Sequence, residues 1–97
     1  MRKESAFQHD LIKNIKKRWP GAIVMKNDPQ YIQGIPDLTV LWKDRWALLE
    51  CKRSRGEEHQ RNQDHYVEKA NTMSFSRFIF PENRDEVLEE LDAHFRK

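Results

Sequence analysis

The residues best placed to do chemistry are Asp37, Glu50 and Lys52. Asp37 opens one β-rich run, Leu38 to Trp42, and Glu50-Cys51-Lys52 closes the next, Trp46 to Lys52. The polar stretch around Lys43-Asp44 between them reads as a two-residue hairpin turn. That turn sets Trp42 against Arg45, and the same register sets Asp37 against Glu50 on one face. Their Cβ atoms would then lie about 4.5–5.5 Å apart. Side chains alternate along a strand, so Lys52 joins the Glu50 face while Cys51 turns to the other face with Ala47 and Leu49. Two carboxylates this close repel and raise each other's pKa unless a cation lies between them. A hard divalent ion with oxygen ligands resolves the conflict, Mg²⁺ or Mn²⁺ best of all. Lys52 beside it would hold an attacking water or neutralise charge growing on a phosphate. A turn one residue longer would oppose Asp37 to Cys51 and put the carboxylates on opposite faces. The blander alternative makes Asp37 a turn residue after Pro36 and Glu50–Lys52 a surface pair.

The elements that must position these groups can be read around them. Phe7, Leu11, Ile15 and Trp19 recur every four residues, with Ile12 widening the stripe, so a helix runs from about Ser5 to Arg18. Ser5 followed by Gln8 resembles a capping box, and Pro20-Gly21 ends the helix. Ala22 to Lys26 reads as a short strand, and Asn27 to Gly34 as a loop. After the hairpin, Arg53 to Glu58 is a polar loop. A second helix covers about His59 to Asn71, with Gln63, Tyr66, Ala70 and Met73 near one face. Phe75 to Phe80 is a last strand, broken by Pro81. Asn83 caps a final helix whose buried stripe is Val87, Leu88, Leu91 and Phe95. The order is helix, three strands, helix, strand, helix, which implies an α/β fold: a small mixed sheet with helices packed on it.

Composition bounds the rest. Ninety-seven residues make one domain, 1–97, with one modest core. No apolar run approaches the roughly 20 residues that span a bilayer, and the N-terminus leads into an amphipathic segment, so a soluble, cytoplasmic protein is expected. A single cysteine excludes an internal disulfide framework and a cysteine-built zinc site. The formal net charge is only +2, but Lys13, Lys16, Lys17 and Arg18 cluster, as do Lys52, Arg53 and Arg55. Basic clusters are the footprint that a phosphate backbone needs, although a solvated helix face has the same look.

At these residues the sequence resembles the PD-(D/E)xK nuclease superfamily: Pro36-Asp37, a hairpin, then Glu50-Cys51-Lys52. Gly34-Ile35-Pro36-Asp37-Leu38 looks like the signature of the VRR-NUC group and of small phage Holliday-junction resolvases. Glu4 looks like the acidic residue that opens the motif series, and Gln63 matches the glutamine common early in the helix after the second motif. The resemblance implies a restriction-endonuclease-like core, αβββαβ with a C-terminal helix, and a Mg²⁺-dependent DNA endonuclease. It implies that Asp37, Glu50 and the Cys51 backbone carbonyl ligate the metal, with Mn²⁺ able to substitute. Glu4 would bind metal directly or through water, Lys52 would orient or activate the water, and Gln63 would position a phosphate or water. The expected substrate is branched DNA cut by a homodimer, with no membrane partner. A flap or single-strand nuclease of the same family, or a non-catalytic DNA-binding module, are the alternatives.

Residues around the motif complete the expectation. Arg53, Arg55 and Arg61 would border the site and contact DNA. Lys16 and Lys17 could track a backbone, and Tyr31 would contact DNA or cover the core. Gly34 would permit an unusual backbone angle or the close approach of a phosphate. His9, His59, His65 and His94 show no metal-ligand spacing. Asp10 falls off the apolar stripe of the first helix. Cys51 is expected as a small core residue, and Trp42 and Trp46 as packing residues beside the turn.

Overall fold

The computed structural model describes residues 3–97, with side chains from residue 6 onward. It contains α1 (Lys3–Arg18), β1 (Ile23–Lys26), β2 (Leu38–Trp42), β3 (Arg45–Cys51), α2 (Gln63–Met73), β4 (Ser76–Ile79) and α3 (Arg84–Phe95). The sheet order is β1-β2-β3-β4. β1 and β2 pair antiparallel, β2 and β3 pair antiparallel, and β3 and β4 pair parallel. The α/β class, the mixed sheet and the order of elements agree with the sequence. Among the described residues, no helix is long and apolar enough to cross a membrane.

The hairpin has the expected two-residue turn. Trp42 pairs with Arg45 and Leu38 with Leu49. Lys43 takes a positive φ of 57°, which tight hairpin turns require at their first central position. Burial alternates along β2, with Leu38, Val40 and Trp42 inward.

The sheet divides the molecule. On one face, Leu38, Val40, Ala47, Leu49, Cys51 and Ile79 meet Leu11, Ile15 and Trp19 of α1 and Leu88, Leu91 and Phe95 of α3. Trp19 stands edge-on to Phe95 at 5.2 Å and donates its indole N–H to Asp92 at 2.8 Å. Burial of these apolar stripes against the sheet is the main favourable term in the fold. On the other face, α2 lies over β3 and β4, with Val67 and Ala70 buried beneath it.

Three local expectations are corrected. α1 begins at Lys3, so Ser5 sits inside the helix rather than at its cap, and Glu4 lies in its first turn. Glu4's side chain lies outside the described residues. α2 begins at Gln63, not His59, because Asn62 adopts a left-handed φ of 70° that interrupts the helix. Met73, expected on the packed face of α2, is 66% exposed, and Val67 takes its place. Asn83 does stand at the cap of α3, but its side chain turns back, accepting the Phe80 N–H at 2.8 Å and donating to the Phe78 carbonyl at 3.0 Å.

Candidate active site

The site forms where β2 begins and β3 ends, on the α2 face. Asp37 stands one residue before the first β2 pair, and its Oδ2 accepts the Cys51 backbone N–H at 2.9 Å. The carboxylate thus continues the ladder where the backbone pairing stops. The Asp37 and Glu50 carboxyls lie near enough across the hairpin for one acid to donate to the other when protonated. Burial holds the Asp37 pKa above the ordinary carboxylate value, and Glu57 adds to it. The Cys51 N–H, Glu50 and the Lys52 ammonium pull the other way.

Glu50 and Lys52 are each only 2% exposed. Such charges survive burial only when bonded. Lys52 Nζ donates to Gln63 Oε1 at 2.6 Å and to the Glu58 carbonyl at 3.1 Å, and lies 3.9 Å from Glu50 Oε2. Gln63 closes the circuit by donating from Nε2 to Glu50 Oε2 at 2.9 Å. Its Oε1 also accepts the Gln60 N–H at 2.7 Å. An amide suits this place because it offers an acceptor to the lysine and a donor to the carboxylate. Cys51 is fully buried on the opposite face, as strand parity requires.

Two positive-φ residues in contact lock the halves of the site together. Gly34 has φ 90°, and a Cβ there would lie 2.5 Å from the Asn62 Cβ and 2.9 Å from the Arg61 carbonyl. The close approach at Gly34 is therefore made by the chain's own backbone. It ties the loop before Asp37 to the start of α2, which carries Gln63. Asn27 fixes the approach to Asp37 as well. Its backbone N–H donates to the Asp37 carbonyl at 2.8 Å, its side-chain amide donates to the Pro36 carbonyl at 2.8 Å, and its Oδ1 accepts the Thr39 hydroxyl at 3.0 Å.

The remaining candidates fall into three places. Arg53, Arg55 and Arg61 are exposed at the rim. Arg53 pairs with Glu57 at 3.5 Å, and Arg55 lies over the Phe80 ring at 5.2 Å. Beside them is an open hollow of about 570 Å³, lined by Arg53, Ser54, Gly56, Glu57, Glu58 and Gln60. Tyr31 projects from its loop, 85% exposed. Lys16 and Lys17 are exposed but lie at the other end of the sheet, because α1 finishes beside the hairpin turn, where the Trp42 indole donates to the Pro20 carbonyl at 3.0 Å.

Sequence reasoning missed Asn27, Glu57, Glu58 and Asn62. Glu58 contributes through its backbone carbonyl, which leaves no trace in the side-chain pattern. Asn62 carried a signal, since asparagine tolerates the left-handed region better than most residues. His59 also gains a role. It stacks on Phe78 at 4.0 Å and meets Asp64 at 2.8 Å, closing the loop over β4.

The donor set suits a hard divalent cation. Among the described residues, no three His, Cys, Asp or Glu side chains gather into a cage. Mg²⁺ does not need one, since it commonly uses one or two carboxylates and keeps water and phosphate as its other ligands. Asp37 and Glu50 could supply that minimum. Comparison with protein-family models, with curated proteins and with solved structures finds no match.

Proposed function

We propose that this chain is a Mg²⁺-dependent DNA endonuclease with a restriction-endonuclease-like core, acting on branched DNA as a homodimer, in the manner of a small junction resolvase. The observation that carries the reading is the meeting of Asp37 and Glu50 across the hairpin, with buried Lys52 fixed beside them by Gln63. A purely structural role for a buried acid and a buried lysine beside a half-buried acid is a poor use of a small core, because apolar groups of similar size stabilise as well or better.

Asp37, Glu50 and the Cys51 carbonyl would hold the cation. When bound, Mg²⁺ supplies Lewis-acid polarisation of a phosphoryl oxygen and offsets the charge that grows there. Lys52 is a rigid donor. Two of its N–H groups are fixed by Gln63 and Glu58, and the third serves an attacking water or a phosphate oxygen. Gln63 sets the distance between that ammonium and the Glu50 carboxylate. Arg53, Arg55 and Arg61 at the rim neutralise flanking phosphates. The branched substrate and the dimer rest on the resemblance of the Gly34–Leu38 run to the VRR-NUC signature.

The test is cleavage of a labelled four-way junction by purified protein with Mg²⁺, Mn²⁺ or EDTA, beside linear duplex and flap DNA. Paired, symmetric, metal-dependent cuts in the junction, absent in Lys52→Ala, are expected. Cutting of flaps or single strands instead keeps the metal site and changes the substrate. Binding without cleavage of any DNA makes the chain a binding module.

A further inference from the structure

We infer that the hairpin end of the sheet is a second docking surface for a DNA phosphate backbone, separate from the one that meets Asp37 and Glu50. The inference rests on the nucleic-acid reading above for the identity of its polyanion. Asp37 and Trp42 lie five steps apart along the chain, about 17 Å at ~3.3 Å per residue. The two regions therefore sit at opposite ends of the sheet, and also on opposite faces.

Three elements deliver cations to this end. Lys43 lies in the turn and Arg45 follows it, Lys16 and Lys17 sit within one helical turn of Trp19, and Arg96-Lys97 follow α3. Lys43, Arg45, Arg96 and Lys97 line a hollow of about 360 Å³ with Trp42 and Phe95, and Asp44 is the one acidic side chain among the described residues lining it. Arg18 is matched by Glu89 at 3.4 Å and Arg96 by Asp92 at 2.8 Å, and Arg45 donates to the Lys97 carbonyl at 3.2 Å, so the local excess of charge is carried by Lys16, Lys17, Lys43, Arg45 and Lys97. Lys43 Nζ and the Arg96 guanidinium stand 4.6 Å and 5.0 Å from the Trp42 ring, so the indole gathers two cations at the mouth of the hollow.

His94 lies in reach of the same cations. Burial first, and then Arg45, Lys97 and Arg77, hold its imidazole below the ordinary value. Lys16, Lys17 and Arg18 also suit the negative end of a helix dipole, but Lys43 and Arg45 belong to a hairpin and have no such duty. A concentration of positive charge on a chain whose net charge is only +2 is a directed feature. The partner that fits it is a polyanion, and a backbone held at the Asp37–Glu50 face would leave this end free for a different stretch or arm of the same DNA.

The experiment uses the full chain carrying Lys16→Gln, Lys17→Gln and Lys43→Gln together, all exposed positions. Binding to a fluorescent four-way junction is measured in EDTA across a salt series. Hydrolysis of bis(4-nitrophenyl) phosphate with Mn²⁺ is measured in parallel, and a thermal melt verifies folding. The expected result is roughly tenfold or greater loss of junction affinity and a salt slope shallower by about 2–3, since each phosphate left without its cation removes about 0.9 from the slope. Hydrolysis of the small ester should be unchanged. Unaltered affinity and slope in a folded variant would overturn the inference, as would failure of the unaltered protein to bind any DNA. If the unaltered protein hydrolyses no phosphodiester but the variant still binds DNA more weakly, this surface stands and the nuclease reading falls.

Discussion

Asp37 is held to the far strand twice over, by the Cys51 N–H at 2.9 Å and by contact with the Glu50 carboxyl. The backbone donor fixes the geometry, and burial makes the charged form of Asp37 costly there without a cation. Asp37→Asn retains an acceptor for the Cys51 N–H and removes one of the facing charges. The metal-free variant should melt a few degrees higher than the unaltered protein, while Mg²⁺-dependent cleavage falls by at least about 10²–10³-fold. Scanning calorimetry in EDTA and a cleavage time course check the two halves. A lower melting temperature would mean that Asp37 is a structural acceptor only.

The raised Asp37 pKa sets the sign of a pH effect. The folded, metal-free chain holds this proton more tightly than the unfolded chain does. The Asp37 contribution to stability is therefore fully present below the ordinary carboxylate value and is lost as pH rises through the raised value. A cation needs the deprotonated acids, so its stabilising effect should grow over the same interval. The rise in melting temperature caused by Mg²⁺ should be larger at pH 8 than at pH 5. An equal rise at both would place the cation elsewhere.

Gln63 is the joint between the acid and the base of the site. Gln63→Ala takes one partner from Lys52 and one from Glu50, both buried, and should cost about 1–3 kcal/mol. Gln63→Glu keeps an acceptor for Lys52 but sets a carboxylate against Glu50. It should weaken cleavage more at high pH than at low pH. Urea denaturation measures the first effect and a pH–rate profile the second.

The contact between Gly34 and Asn62 is testable by paired substitution. Gly34→Ala places a Cβ in the left-handed region and against the Asn62 Cβ at 2.5 Å, so it should destabilise by about 1–3 kcal/mol. Adding Asn62→Gly removes the nearest of the clashing atoms. The double variant should recover part of the stability, while the Arg61 carbonyl at 2.9 Å prevents full recovery. Strictly additive effects of the two substitutions would mean that the contact does not couple the loops.

The hairpin register was readable because strand parity and a two-residue turn leave little freedom once both faces are specified. The same holds for Leu11, Ile15 and Trp19, whose spacing is set by the helix itself. What escaped the sequence was long-range. The segment from Glu57 to Arg61 has no helix breaker, so local propensity extends α2 to His59. The meeting of Gly34 with Arg61 and Asn62 decides otherwise, and those residues lie far apart in the chain. Glu58 acts through a carbonyl and Asn27 through a bridge between two segments, and neither role has a spacing to detect. Chemistry carried by alternating side chains of a local hairpin is legible, whereas chemistry positioned by loops is not.

The turn at Lys43-Asp44 has a kinetic corollary. A hairpin closed by so short a connection forms within microseconds, far sooner than the parallel pairing of β3 with β4, which must wait for α2 to cross over. The two acids should therefore meet in an early ordered piece of the chain, before Gln63 has docked. The cost of charging Asp37 in a shielded place then acts on the climb to the transition state as well as on the finished fold. Relief of that cost, by protonation, by a cation or by Asp37→Asn, should quicken refolding rather than only slow unfolding. The carboxylate pair should thus act as a brake on the birth of the fold.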